Sequence, residues 1–270
     1  MLPTKPRLVA TDIDGTIVWR DGPISPRTIA AFQRAVSAGI DLVLVSARPP
    51  RAMLRIADEL GHRGTAICSN GALVFDLETE ELIRDHSLPA DQAAMIVQVL
   101  RQRLPGIVFA VEAGLQFGHE PAYVPGFPAP ADTLVAEAEE LLGRPIAKLL
   151  ARHPDYDTDE LIRIAEEAVG EHASLHHSGG TSLLELAASG VSKAIALERL
   201  CDERGIPSHA VLAFGDMPND IPMLTWAGHG VAVGNAHPDV VAVADATTLS
   251  CEEDGVAAYI EQLVANSSSD

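Results

Sequence analysis

The chain has 270 residues, of which 47% are hydrophobic and 4% aromatic, and its formal net charge is −19 at pH 7. This composition predicts a folded protein of one large domain or two modest ones and argues against disorder. The acidic charge argues against binding to nucleic acid or to an anionic membrane, because both carry negative charge.

The cysteines predict a reduced protein. Cys68, Cys201 and Cys251 are far apart and odd in number, so they form neither a zinc spacing nor a disulfide framework. Residues 1–7 lack the apolar run of a signal peptide, and no stretch has the length and apolar character of a transmembrane helix. We therefore expect a cytoplasmic protein, monomeric or homodimeric, with no membrane partner.

The first quarter of the chain alternates apolar strands with helices. The pattern predicts, in order, a strand over 7–13, a helix over 26–38, a strand over 40–45, a helix over 50–60 and a strand over 65–68. Ser25 followed by Pro26 is typical of a helix N-terminus, and Gly39 and Gly61 are typical of helix ends. This alternation predicts a parallel sheet, in which ligands bind beyond the carboxyl ends of the strands.

The alternation of single strands with helices is interrupted between residues 73 and 187. The pattern there predicts strands over 82–87, 107–112, 115–118, 146–151, 173–177 and 182–186, and helices over 91–103, 132–142 and 157–169. Paired strands beside helices indicate an α+β insert that is large enough to be a domain. We expect this domain to span residues 81–187 and the core to comprise residues 1–80 and 188–270.

The alternation of strands and helices that is typical of a parallel sheet then resumes. The pattern predicts a helix over 192–204, a strand over 210–214, a short helix ending at 227, a strand over 229–233, a helix beginning near 238, a helix over 255–266 and a polar tail over 266–270. The chain is therefore expected to have an α/β fold, with a parallel-sheet core interrupted by an α+β insert.

Two carboxylates, Asp12 and Asp14, follow the first apolar strand. Alternation along a strand predicts that both lie on the same side, two residues apart. Like charges at that separation need a cation between them, or one carboxyl group must hold a proton. The sequence therefore indicates a catalytic strand end.

Two other structures are compatible with parts of this stretch. An EF-hand loop needs Gly at its sixth position, whereas Gly15 stands at the fourth. An ordinary Asp-Gly turn accounts for Asp14 and Gly15 but leaves Asp12 unexplained inside an apolar run.

A second acidic pair, Asp216 and Asp220, follows the strand predicted over 210–214. With Asp12 and Asp14 it makes four carboxylates near one edge of the sheet. Oxygen ligands of this kind suit a hard divalent cation, and Mg²⁺ is the usual one. A Gly-Asp turn with a capping Asp220 is the simpler alternative for the second pair taken alone.

Three further polar residues stand at strand or helix ends. Lys193 begins a helix, where a cation opposes the helix dipole, so a phosphate ligand would explain it; a surface Lys is the alternative. Ser46 could donate to a phosphoryl oxygen or cap a helix. Asn219 could also donate to a phosphoryl oxygen, or it could be a simple turn residue.

Taken together, these residues make the chain resemble the haloacid dehalogenase superfamily of phosphohydrolases. The matching motifs are Asp12-Ile-Asp-Gly-Thr16, Ser46 in Val-Ser-Ala-Arg, Lys193, and Gly215-Asp216-x-x-Asn219-Asp220, in the family's order. Finer features resemble the Cof-type branch: Ser69-Asn70-Gly71-Ala72, Gly190-Val191-Ser192-Lys193, Asp220-Ile-Pro-Met-Leu224, Gly234-Asn235-Ala236 and Glu253-Asp254-Gly255-Val256. The resemblance implies a Rossmann-like core with an inserted α/β cap that closes over the site.

The resemblance also implies roles for the residues of these motifs. Asp12 would be the nucleophile that forms an aspartyl-phosphate, and Asp14 the general acid and base. Mg²⁺ would be held by Asp12, by the backbone carbonyl of Asp14, by Asp216 and, directly or through water, by Asp220. The phosphoryl oxygens would be held by Ile13, Ser46, Ala47, Lys193 and Asn219. Ala47 stands where the family usually has Gly, and its small side chain predicts little loss.

The function implied is a Mg²⁺-dependent phosphatase that hydrolyses small phosphorylated metabolites, with sugar phosphates as the leading class. A phosphomutase on the same scaffold and a non-catalytic phospholigand-binding protein are the alternatives. Polar residues of the insert are candidates for contacting the leaving group: His119, Tyr123, Arg152 and His176. A metal pair of His176 with His177 is rejected, because adjacent strand residues face opposite ways.

Overall fold

A computed structural model describes residues 6–20, 22–126, 128–176 and 182–267. Its strands are β1 (Leu8–Thr11), β2 (Asp41–Val45), β3 (Thr65–Cys68), β4 (Leu73–Asp76), β5 (Glu81–Asp85), β6 (Val108–Ala113), β7 (Gln116–His119), β8 (Leu134–Val135), β9 (Lys148–Arg152), β10 (Ala173–His176), β11 (Leu184–Ala188), β12 (Val211–Gly215), β13 (His229–Ala232) and β14 (Ala246–Thr247). Its helices are α1 (Pro26–Ser37), α2 (Pro50–Leu60), α3 (Ala90–Arg103), α4 (Ala138–Leu141), α5 (Thr158–Val169), α6 (Lys193–Glu203), α7 (Ile221–Trp226), α8 (Pro238–Val243) and α9 (Gly255–Ser267).

The chain forms two units. The first comprises Met1–Ile83 and Ser192–Asp270, and the second comprises Arg84–Val191. None of the helices in the described ranges is long and apolar enough to cross a membrane.

The first unit is built on an eight-stranded sheet with the order β14-β13-β12-β1-β2-β3-β4-β5. The six strands from β14 to β3 pair in parallel, and β4 pairs antiparallel with β3. Its central strands are buried on both faces, as parallel strands covered by helices are. Because β1 pairs with both β2 and β12, the loops after these strands meet at one edge of the sheet.

Local sequence signals account for the first helix. Ser25 Oγ accepts the backbone N–H of Thr28 at 3.0 Å, and Pro26 occupies the first helical turn. The helix buries Ala31 and Phe32 among its apolar residues. Gly39, with φ +81°, follows the helix end and lets the chain turn into β2.

The second unit has its own six-stranded sheet, with the order β10-β11-β9-β6-β7-β8. Its pairs are antiparallel except β7 with β8. A separate apolar core includes residues from four strands and three helices of this unit, among them Phe109, Leu149, Leu186, Ile96 and Leu161. The predicted fold class, a parallel-sheet core with an α+β insert, is confirmed.

Three local expectations differ from the structure. Strand β5 lies beside β4 in the first sheet, although the sequence placed residues 81–187 in the insert. The helix predicted over 132–142 is wrong: Leu134–Val135 is a strand that pairs with β7, and only Ala138–Leu141 is helical. Thr133 and Val135 have low helix propensity, and pairing with β7 satisfies this backbone instead. Strand β4 and its antiparallel pairing with β3 were not predicted from the sequence.

Candidate active site

Asp12 follows the last residue of β1 and continues the alignment of that strand. Its backbone N–H donates to the carbonyl of Phe214 in β12 at 3.0 Å, and the Thr11 hydroxyl donates to the Asp12 carbonyl at 2.8 Å. The residue is only 4% exposed. A buried carboxylate in this position needs a compensating charge.

A tight turn follows Asp12. The carbonyl of Ile13 accepts the backbone N–H groups of Thr16, Ile17 and Val18. Gly15 has φ +76°, and a Cβ there would lie 2.2 Å from Asp216 Oδ2. A side chain at Gly15 would therefore both strain the turn and displace Asp216.

Asp220 holds the loop after β12. Its Oδ2 accepts the backbone N–H groups of Asp216 and Met217, each at 3.1 Å. Asp216 Oδ1 accepts the hydroxyl of Thr16 at 3.3 Å. Each of Asp12, Asp216 and Asp220 offers an oxygen within 4.8 Å of the others, so three of the four predicted carboxylates converge.

Lys193 supplies positive charge to this cluster. Ser192 caps helix α6, because its Oγ accepts the Ile195 N–H at 3.2 Å. The helix therefore begins at Lys193, next to the cluster. Lys193 Nζ donates to Asp12 Oδ1 at 2.6 Å and to Asp220 Oδ1 at 2.7 Å. The residue is 2% exposed, so the alternative of a surface Lys is wrong.

The pKa values of the cluster follow from burial and charge. Burial raises the pKa of Asp12 well above its usual range, Lys193 opposes the rise, and the charges of Asp220 and Asp216 add to it. Burial and the charge of Asp220 raise the pKa of Asp216 to about 7. Burial alone would lower the pKa of Lys193, but Asp12 and Asp220 outweigh it and raise that pKa. The single positive charge of Lys193 thus does not neutralise the negative charge of the three carboxylates.

The donor set fits a hard divalent cation. Its three carboxylates supply only oxygen atoms, and they lie together on loops of the same sheet edge. Mg²⁺ prefers such ligands, and its charge would offset the burial and the carboxylate repulsion that raise the pKa values of Asp12 and Asp216.

Asp14 differs from the other carboxylates. Strand β1 ends at Thr11, so strand alternation does not extend to Asp12 and Asp14, and the prediction that both lie on the same side loses this basis. The Asp14 side chain is 49% exposed, and Arg48 Nε donates to its two carboxylate oxygens at 3.1 and 2.9 Å. The metal role predicted for Asp14 uses its backbone carbonyl and stays a prediction.

Ser46 and Ala47 follow β2 at the same sheet edge. Ser46 is fully buried, and its Oγ accepts the backbone N–H of Arg48 at 3.0 Å. The alternative of a helix cap is wrong, because Pro49 occupies the cap of α2 and no side chain caps that helix. Ala47 is half-buried and directly follows Ser46.

Asn219 lies in the short 3₁₀ turn Pro218–Asp220. Its Nδ2 donates to Asn70 Oδ1 at 3.0 Å, across 149 residues of sequence. Its Oδ1 is buried and has no hydrogen-bond partner among the described residues.

Three residues that contact this site had no role predicted from the sequence. Arg48 pairs with Asp14, and Asn70 bonds Asn219. Asn235 Nδ2 donates to the Gly15 carbonyl at 2.8 Å, and its Oδ1 accepts the Cys251 N–H at 2.7 Å. Each of the three stands just after a strand, and that position was the signal that could have identified them.

The candidate leaving-group residues lie in the second unit. The ring of His119 lies near those of Phe117 and Tyr123, and Arg152 Nε donates to the Tyr123 hydroxyl at 3.4 Å. His176 is buried at the end of β10. His177 lies outside the described residues, as does the end of the predicted polar tail over 268–270.

The chain is similar to known phosphatases over most of its length. The 5-amino-6-(5-phospho-D-ribitylamino)uracil phosphatase YitU of Bacillus subtilis (strain 168) is 28% identical over 264 residues, which cover 96% of this chain and 98% of that protein. Pyridoxal phosphate phosphatase YbhA of Escherichia coli (strain K12) is 28% identical over 274 residues, which cover 94% of this chain and 97% of that protein.

A solved structure of a haloacid dehalogenase-like hydrolase from Bacteroides thetaiotaomicron has a TM-score of 0.78 and 28% identity, and covers 96% of this chain and 100% of that one. The family model described as haloacid dehalogenase-like hydrolase matches residues 9–260. The resemblance drawn from the motifs is thereby confirmed, and the chain belongs to the haloacid dehalogenase-like hydrolase family of enzymes.

Proposed function

We propose that this enzyme is a Mg²⁺-dependent phosphatase of small phosphorylated metabolites that works through an aspartyl-phosphate. The observation that carries the proposal is the buried cluster in which Lys193 Nζ lies 2.6 Å from Asp12 and 2.7 Å from Asp220, with Asp216 beside them. A phosphate dianion needs positive charge of this kind before it can approach a carboxylate nucleophile.

In the proposed reaction, the Asp12 carboxylate attacks phosphorus in line with the leaving-group oxygen. A bond forms between the carboxylate oxygen and phosphorus as the bond to the leaving group breaks. Asp14 gives its proton to the leaving alkoxide and then receives a proton from the water that hydrolyses the aspartyl-phosphate. The Asp14 side chain is 49% exposed, which suits proton transfer to and from substrate and water.

The remaining residues bind the phosphoryl group and compensate its charge. We infer that Ser46, Lys193, Asn219 and the backbone N–H groups of Ile13 and Ala47 hold its oxygens. Asp12, Asp216, the Asp14 carbonyl and Asp220, directly or through water, would hold the metal. When bound, Mg²⁺ supplies positive charge that stabilises the transferring group.

We infer that the second unit, Arg84–Val191, is a cap that selects the leaving group. It has its own core and sheet, as an inserted domain with a separate task would. His119, Tyr123, Arg152 and His176 are its candidate contact residues. Relatives named for a phosphoribityl compound and for pyridoxal phosphate support small phosphorylated metabolites as substrates, and we propose sugar phosphates as the leading class.

We place the reaction in the cytoplasm. The thiols of Cys68, Cys201 and Cys251 are all free and buried, as in proteins from a reducing compartment.

The test is phosphate release from a panel of phosphorylated metabolites, with Mg²⁺ and with excess chelator. We expect release that depends on Mg²⁺ and is strongest on one sugar phosphate. Full activity in chelator would contradict the metal role, and release from no substrate would favour a phosphomutase or a binding protein.

Asp12→Asn is the matched control, because it removes the nucleophile and keeps the shape of the side chain. We expect turnover to fall on the order of a thousandfold or more while circular dichroism stays unchanged. Normal turnover in this variant would exclude Asp12 as the nucleophile.

A further inference from the structure

The turn between β3 and β4 has a costly backbone conformation. Ser69 and Asn70 are consecutive, fully buried and not glycine, yet their φ angles are +50° and +58°. L-residues adopt this left-handed region rarely, and such conformations persist only where the surrounding structure enforces them, often at functional sites.

The turn contacts the other loops of the active site. The Ser69 N–H donates to the Arg48 carbonyl at 2.9 Å, and the Asn70 N–H donates to the Ser46 carbonyl at 3.1 Å. Gly71, with φ +104°, approaches the residue before Lys193 so closely that a Cβ would lie 2.3 Å from the Ser192 carbonyl oxygen. The turn therefore packs against the loop of Ser46 and the start of helix α6.

The side chain of Asn70 contacts the third loop. Its Oδ1 accepts one N–H of the Asn219 side-chain amide at 3.0 Å, which restrains rotation of that amide. Asn219 keeps a second N–H, and its Oδ1 is buried without a partner among the described residues. The second N–H of this amide is the group that can donate to a phosphoryl oxygen, while the unpaired Oδ1 can accept from a donor such as a ligand hydroxyl or a water molecule.

We propose that Asn70 is a positioning residue that orients the Asn219 amide toward a bound phosphoryl group. The inference rests on the proposed phosphatase function but concerns a residue to which neither the motifs nor the geometry had assigned a role. Asn is suited to the position, because it tolerates the left-handed conformation better than most side chains and also carries an acceptor.

The test uses Asn70→Gly, which removes the acceptor and keeps the backbone conformation, since Gly adopts positive φ readily. We expect the Kd of inorganic phosphate, measured by calorimetry in the presence of Mg²⁺, to rise by about tenfold. We expect kcat/KM to fall by a similar factor, because residues that orient a ligand-binding side chain have effects of this size. Glu80→Gly is the matched control, because Glu80 has φ +58° on the exposed surface. It should change neither quantity.

A double-mutant cycle separates positioning from general stability. If Asn70 acts through Asn219, Asn70→Gly should have little further effect in an Asn219→Ala background. Thermal unfolding of each variant shows whether it is folded, and if the Gly variant is not, Asn70→Ala, which also removes the acceptor, replaces it in the cycle. Additive effects of the two substitutions would overturn the proposal.

The outcomes also distinguish this inference from the proposed function. An active wild type whose Asn70→Gly variant binds phosphate equally well overturns the inference alone. A wild type that binds phosphate but releases none from any substrate contradicts the phosphatase, and weaker binding by the variant would then still support the inference. A wild type that neither binds phosphate nor turns over substrate overturns both.

Discussion

At the scale of single residues, Lys193 supplies a buried positive charge to the carboxylate cluster. It is 2% exposed and donates to two buried carboxylates, Asp12 and Asp220. Removing one member of a buried charged group leaves the others uncompensated, which costs more than the pair contributes when intact.

We expect Lys193→Met to destabilise the metal-free protein by about 3–5 kcal/mol, because two buried carboxylates lose their partner. Urea unfolding in chelator measures the change. Arg27→Met is the control, since its pair with Glu261 is partly exposed to solvent and should contribute little to the free energy of unfolding. Equal losses in the two variants would show that Lys193 does not offset the charge of the cluster.

Asp216 makes the stability of the metal-free protein depend on pH. Burial and Asp220 raise its pKa from 3.8 to about 7, so the folded state retains a proton that the unfolded state has lost in this interval. The stability from this group is therefore fully present below about pH 4 and declines as pH rises toward about 7.

We expect Asp216→Asn to reduce this decline, because the amide does not titrate. The measurement is urea unfolding in chelator at pH 5 and pH 7.5 for both proteins. Added Mg²⁺ should stabilise the wild type more at pH 7.5 than at pH 5, since protons compete with the metal for the carboxylates. An identical pH dependence in wild type and variant would contradict the assignment.

At the scale of elements, the turn after β3 connects the start of helix α6 to the site. Gly71 has positive φ and lies against the Ser192 carbonyl, whereas Gly39 has positive φ with open space around its Cα. The two positions therefore separate backbone strain from steric contact.

We expect Gly39→Ala to cost about 1–2 kcal/mol, the penalty of a left-handed L-residue. Gly71→Ala should cost about 1–3 kcal/mol more, because the backbone of Ser192 must shift, and it should also lower kcat/KM by moving Lys193. Thermal or urea unfolding and kinetics of both variants make the comparison. Equal costs and unchanged activity would show that the contact with Ser192 is unimportant.

The elements also show which sequence signals were reliable. Helix α1 was predicted from Ser25, Pro26 and Gly39, which act through neighbouring backbone groups. The helix predicted over 132–142 was wrong, since the pairing of Leu134–Val135 with β7 depends on a strand distant in sequence.

At the scale of the whole molecule, the second unit has a complete core of its own. Its buried residues, such as Phe109, Leu149 and Leu161, pack with other residues of Arg84–Val191. A unit of this size can bury enough apolar surface to fold alone.

We expect a fragment of residues 84–191 to unfold cooperatively, because its core does not draw on the first unit. Thermal unfolding followed by circular dichroism tests this. Leu161→Ala in the fragment should lower stability by about 2–5 kcal/mol, as a cavity in a packed core does. A non-cooperative transition in the unsubstituted fragment would contradict an independent core.

The sequence by itself determined the fold class, the family and the set of candidate residues. Its periodicity predicted the alternating strands and helices of the parallel core, and acidic residues after apolar strands are meaningful because parallel strands bring their carboxyl ends together. The positions of Asp12, Asp216, Asp220 and Lys193 in the motifs were sufficient to predict one site.

Only the tertiary structure decided how those residues are partnered. It joined Lys193 to Asp12 and Asp220, paired Asp14 with Arg48, and bonded Asn219 to Asn70. These contacts span from 27 to 181 residues of sequence. Distances between side chains on different loops depend on strand order, loop conformation and burial, which no local pattern encodes.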